Sequence, residues 1–209
     1  RNIINDDKDL ILSTSGYKGA EVINLLSGDT LLNLPFDKVF GSEFSPDGTK
    51  ISLSSSKLFA QIFDAESGEL LHELRDPSND ARCDGCNTKQ VWSPDSKYLL
   101  TMSNMVDAIL WDASSGKKIK SFSDKRYRPT AMKFTDDSEY IVINIDETIY
   151  AFHVKSGKLS MNHEAKHLDY YDVNLSPNSQ WVALPGENNS VEIYNVKTGK
   201  LQKRLNGYL

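Results

Sequence analysis

The sequence predicts an all-β protein assembled from five copies of a four-stranded antiparallel unit. Three observations carry this. Two short phrases recur in phase five times along the 209 residues. The segments between them alternate apolar and polar residues, which is a strand signal. No stretch sustains the 3.6-residue apolar period of an amphipathic helix.

The first phrase is an apolar residue, then Ser-Pro-Asp or a relative, then a small or polar residue. It reads Phe44-Ser45-Pro46-Asp47-Gly48, Trp92-Ser93-Pro94-Asp95-Ser96, Phe134-Thr135-Asp136-Asp137-Ser138 and Leu175-Ser176-Pro177-Asn178-Ser179. A decayed copy, Ile4-Asn5-Asp6-Asp7-Lys8, stands near the start, and the leading residues are spaced by 40, 48, 42 and 41 positions. Proline presets one turn dihedral, and Asp, Asn and Ser bond back to the turn backbone, so each phrase reads as a tight turn between two strands. The second phrase opens on Ile23, Phe63, Trp111, Phe152 or Tyr194 and ends on Gly28, Gly68, Gly116, Gly157 or Gly199. These glycines are expected to supply positive φ between a third and a fourth strand.

After the first turn, one apolar column reads Ile11, Ile51, Leu99, Ile141 and Val182. Ahead of the second phrase, two more read Val22, Ile62, Leu110, Ala151, Ile193 and Ala20, Ala60, Ala108, Ile149, Val191. Fourth strands follow each glycine, with Leu31 and Leu34, Leu71 and Leu74, and Ile119 and Phe122, weakening to Ser160 and His163, then Gln202 and Leu205. A sheet of ~40 residues cannot bury both its faces alone, but radial stacking of such sheets can. The expected fold is therefore a β-propeller over residues 1–209, with first strands innermost and repeats at approximately 1–35, 36–75, 84–123, 128–163 and 168–209.

The period, the Ser-Pro-Asp turns and the Trp-Asp ending resemble the WD-repeat β-propeller family. The likeness spans the chain and is densest from Trp92-Ser93-Pro94-Asp95 to Trp111-Asp112 and Gly116. The family's Gly-His dipeptide is missing from every copy, while Asp146 and Asn188 stand at its turn-Asp position. Against the family's habit of mixing both termini in one blade, the chain opens within a first strand and ends within a fourth. It is therefore expected to be an excerpt of a larger ring, with further blades of a parent chain as its neighbours; the alternative is a closed ring of five blades.

The net charge is −5 and the pI about 5.4, which argues against a nucleic-acid binder working through general basicity. No apolar run approaches the ~20 residues of a membrane helix, and no leader peptide is visible. Two cysteines are too few for a disulfide scaffold. A reducing, cytoplasmic setting is expected, with the nucleus as an alternative.

Candidate sites lie in the irregular connectors at 75–89, 123–129 and 162–171, which this architecture gathers on one face. Arg82, Arg126, Tyr127, Arg128, His167, Tyr170 and Tyr171 are the candidate partner contacts, because Arg and Tyr are common interface anchors. The alternative for Arg126 to Arg128 is a solvated turn. Cys83 and Cys86 form a C-x-x-C, and His163 and His167 an H-x3-H in the next connector but one, so these four are candidate metal ligands. Their expected separation favours free thiols or a local disulfide over zinc. No nucleophile elbow, phosphate loop or H-E-x-x-H is present, and no cofactor is expected. The resemblance implies a non-enzymatic scaffold or sensor module that binds a protein or peptide on the connector face. The alternative is a propeller enzyme or a module for a small ligand or metal.

Overall fold

A computed structural model describes residues 2–15, 19–36, 38–55, 60–75, 88–103, 106–122, 129–145, 147–164 and 173–207. Among these residues there are nineteen strands, one short 3-10 turn and no α-helix, and the strands form five antiparallel sheets. The chain is a β-propeller of repeated blades. Its contacts divide it into two compact units, Arg1–Phe122 and Ser123–Leu209.

The first unit holds three blades, each with its strands in chain order. They are β1 (Asn2–Asn5), β2 (Leu10–Ser15), β3 (Gly19–Asn24) and β4 (Thr30–Leu34); β5 (Gly41–Phe44), β6 (Lys50–Ser54), β7 (Ala60–Asp64) and β8 (Leu70–Leu74); and β9 (Thr88–Trp92), β10 (Tyr98–Ser103), β11 (Val106–Asp112) and β12 (Lys118–Phe122). First strands gather here as expected, with β1 beside β5 and β5 beside β9. The second unit holds β13 (Pro129–Phe134), β14 (Tyr140–Ile145), β15 (Thr148–His153) and β16 (Leu159–Glu164), then β17 (Trp181–Pro185), β18 (Val191–Asn195) and β19 (Leu201–Leu205). The fifth sheet departs from expectation. Among the described residues it has three strands, and a single bridge, Leu175 to Val182, stands where a first strand was expected.

The repeated phrases form the turns predicted for them. Ser45 donates its hydroxyl to Asp47 Oδ1 at 2.6 Å, and accepts the Lys50 N–H at 2.9 Å. Ser93, Thr135 and Ser176 repeat this with Asp95, Asp137 and Asn178. In the second phrase, Asp112 Oδ1 accepts from the Ser114 and Ser115 hydroxyls, both at 2.7 Å. The Ser114 bond first, then the Ser115 bond, lower its pKa against partial burial. The five turn glycines all have positive φ, from 63° to 77°. The first blade's turn differs. Its left-handed residue is Asp9 (φ 51°), one place later than Gly48 (φ 65°), although Ile4 pairs with Ile11 as Phe44 pairs with Ile51.

Neighbouring blades within a unit meet through opposite faces, so the core is a series of seams. Ala20, Val22 and Leu34 of the first blade pack on Ile51, Leu53 and Phe63 of the second. Ala60, Ile62 and Leu74 meet Leu99, Ile109 and Trp111. In the second unit, Val142, Ile149, Ala151 and Met161 meet Val182, Leu184 and Val196. Strand period dictates that residues three apart point to opposite faces. Leu34, Leu74 and Phe122 are accordingly buried in fourth strands, while Leu31, Leu71 and Ile119 are exposed. Polar bonds also cross the seams. Trp92 Nε1 donates to Ser52 Oγ at 2.9 Å, Lys8 Nζ to the Gly48 carbonyl at 3.0 Å, and the Asp47 N–H to Ser96 Oγ at 3.0 Å.

One expected core position is corrected in the fifth blade. Val191, placed in an apolar column, is 42% exposed, and its neighbour Glu192 is 3% exposed. The face that carries Glu192 and Tyr194 lies on the fourth blade, and Val191 and Ile193 alternate to the opposite face.

Candidate functional site

The seam between the fourth and fifth blades is apolar along most of its length and polar at one end. His163 pairs across from Ile149 as Leu34 pairs with Ala20 and Leu74 with Ala60, so an imidazole replaces a buried leucine. Glu192 stands two residues before Tyr194 as the fully buried Ile109 stands before Trp111. An unpaired carboxylate at such a depth would be costly. Glu192 is held by three neighbours. Tyr194 donates its hydroxyl to Oε2 at 2.6 Å, Arg204 reaches Oε1 through Nε at 2.8 Å and a terminal nitrogen at 2.5 Å, and His163 Nε2 lies 3.5 Å from Oε2. The His163 and Tyr194 rings sit 4.4 Å apart, tilted by 41°.

These contacts fix the charge state. The bond from Tyr194, then that from Arg204, hold the Glu192 carboxyl below its ordinary range despite burial. Burial, reinforced by the bond to Glu192, pushes the Tyr194 phenol up to about 12. The cluster is therefore a buried carboxylate clasped by a neutral phenol and a guanidinium.

The polar end opens into a cleft of about 660 Å³, between the end of β16 and the loop joining β17 to β18. That loop is braced by Gly186 N–H to the Ser190 carbonyl at 2.8 Å and by Ser190 Oγ to the Glu187 carbonyl at 2.7 Å. Asn188 and Asn189 carry it through positive φ. Glu164 and Glu187, on opposite sides of the cleft, are exposed and unpaired among the described residues. Deeper in the seam, Asn144 pairs across from Ile149 and so shares a face with His163. Its side chain belongs to a residue 1% exposed, and neither amide atom has a hydrogen-bond partner.

Of the residues singled out from sequence, Arg82, Cys83, Cys86, Arg126, Tyr127, Arg128, His167, Tyr170 and Tyr171 lie outside the described residues. His163 is described: it belongs to β16, as its fourth-strand column predicted, and not to the connector of the metal-ligand reading, and it lies against Glu192 and Tyr194. Among the described residues no group of three His, Cys, Asp or Glu side chains is arranged to hold a metal ion. No described helix is long and apolar enough to cross a membrane. Sequence reasoning missed Glu192, Tyr194 and Arg204 as a site. The one available signal was the weakening of the fourth-strand column at His163.

No known family model matches the chain, and no curated protein matches it. Among solved structures, it is similar to dihydro-heme d1 dehydrogenase NirN in complex with DHE, with a TM-score of 0.69 and 17% sequence identity. The match covers 98% of this chain and 45% of that one. That likeness shows the propeller fold.

Proposed function

We propose that the chain is a non-enzymatic protein- or peptide-binding platform of the WD-repeat kind, working through the connector end of its blades inside a larger intracellular protein. The observation that carries this reading is the cleft at the end of β16, built on a clasped carboxylate, Glu192, at the position the buried Ile109 takes in the third blade, beside His163 at the position of the buried Leu34 and Leu74. Replacing apolar seam residues with a buried charge does not by itself stabilise a fold. A binding surface gives such a cluster a use. The candidate contacts Arg126 and Tyr127 belong to the connector at 123–129 in the sequence and lie outside the described residues. Affinity on this reading resides in irregular segments and not in the repeated turns, which every blade needs alike.

The test is capture from a cell extract followed by titration. Arg126→Ala with Tyr127→Ala weakens capture at least ~10-fold, about 1.4 kcal/mol, at nearly unchanged thermal stability. Unchanged capture, with loss on altering Asp47 or Asp95 in folded protein, overturns the assignment of the face. The second reading, a propeller enzyme or small-ligand module, draws support from the similarity to the dehydrogenase NirN. A haem-type ligand that binds the chain stoichiometrically and shifts its absorbance would favour it.

A further inference from the structure

Resting on the platform reading, we infer that the cleft between β16 and the β17–β18 loop receives a basic side chain, lysine or arginine, from its protein or peptide partner. Three carboxylates, Glu164, Glu187 and Glu192, line the cleft against a single guanidinium, Arg204. Arg204 is spent on Glu192 through two contacts to one oxygen. Among the described residues, Glu164 and Glu187 have no counter-charge, and they stand on opposite sides of the opening.

One further feature fits the same occupant. The ring of Tyr194, braced by His163, lines the wall, and an aromatic face attracts a cation. An ammonium or guanidinium head brings several N–H donors and no acceptor, which matches the carboxylates of Glu164 and Glu187. A volume of about 660 Å³ takes one long side chain with its flanking backbone. The chain's net charge of −5 steers the same kind of partner toward it.

The experiment is fluorescence anisotropy with a short labelled peptide of alternating glycine and arginine, compared with one carrying glutamate in place of arginine. The basic peptide binds the whole chain at least about 10-fold tighter than the acidic one. Glu164→Gln with Glu187→Gln weakens it at least about 10-fold. Both side chains are exposed, so the far-ultraviolet spectrum and melting midpoint hold. Glu66→Gln with Glu69→Gln, in the β7–β8 turn, makes the same change in net charge and leaves binding intact. Equal losses in the two double variants would reduce the effect to overall charge and overturn the proposal, as would no preference between the peptides or no binding of either. A partner captured through Arg126 and Tyr127 that carries no basic segment would leave the platform reading standing and remove this one.

Discussion

The carbonyl oxygen of Ser160 lies 2.5 Å from where a β-carbon on Gly199 would sit. The fifth blade's β18–β19 turn thus rests directly on the backbone of the fourth blade's last strand. Ser160 adds a hydroxyl bond to the Val196 carbonyl at 2.8 Å. Gly28, at the same position of the first blade, has a similar φ of +77° and no atom within 4 Å of a built β-carbon. Left-handed backbone costs a non-glycine residue about 1–2 kcal/mol. Gly28→Ala therefore costs about 1 kcal/mol, and Gly199→Ala distinctly more, about 3 kcal/mol, because a backbone atom must also move. Urea denaturation of the two variants checks the difference, and equal losses would refute the seam contact.

Trp111 donates its indole N–H to Thr101 Oγ1 at 2.8 Å, and both residues are buried. Trp111→Phe removes the donor and leaves a buried hydroxyl short of a partner, at a cost of about 2 kcal/mol or more. Adding Thr101→Val removes the stranded hydroxyl as well. The double variant is then less destabilised than the sum of the single ones, by about 1 kcal/mol. A double-mutant cycle on denaturation midpoints measures this coupling directly.

Glu192 gives a signed pH dependence. Its folded pKa lies below its ordinary value of 4.5, the Tyr194 bond being the largest cause. The stability it contributes is complete above that value and is lost as pH falls through the folded pKa. Turn carboxylates such as Asp112 are lowered too, so the chain as a whole weakens in acid. Glu192→Gln is less stable than the parent at neutral pH and loses less on acidification. Tyr194 runs the other way. Its folded pKa is raised from 10.0 to about 12, so its contribution is complete below the first value and fades as pH rises through the second. Tyr194→Phe costs about 2 kcal/mol at neutral pH and flattens the alkaline limb. Denaturant midpoints across the pH range separate the two limbs.

The strands and turns were legible in the sequence because local chemistry dictates them. Ser45 and Asp47 close their turn within five residues, and the glycine column announces its own φ. The Asp9 turn was less legible, since shifting the left-handed residue by one place leaves the Ile4–Ile11 pairing intact. The site was largely hidden. Glu192 lies between Val191 and Ile193 and reads as the outward residue of an alternating strand. Only the packing of the fourth blade on that face turns it inward, and its partners His163 and Arg204 come from other strands. Which face of a strand is buried is a tertiary property that alternation alone leaves open. The connectors repeat nothing, so the internal comparison that revealed the blades had no purchase on them.

The bond from the Asp47 N–H to Ser96 Oγ makes one blade's turn a reporter on its neighbour. The donor belongs to the second blade and the acceptor to the third. Opening of the third blade deprives that amide of its acceptor even while the second blade keeps every strand. In native-state hydrogen exchange, Asp47 should therefore exchange with the free energy of the third blade's opening, and not with that of its own sheet. Ser96→Ala should speed exchange at Asp47 while amides inside β6 keep their rates. A repeat array stitched in this way unfolds by the parting of neighbours, and a single backbone amide can time the event.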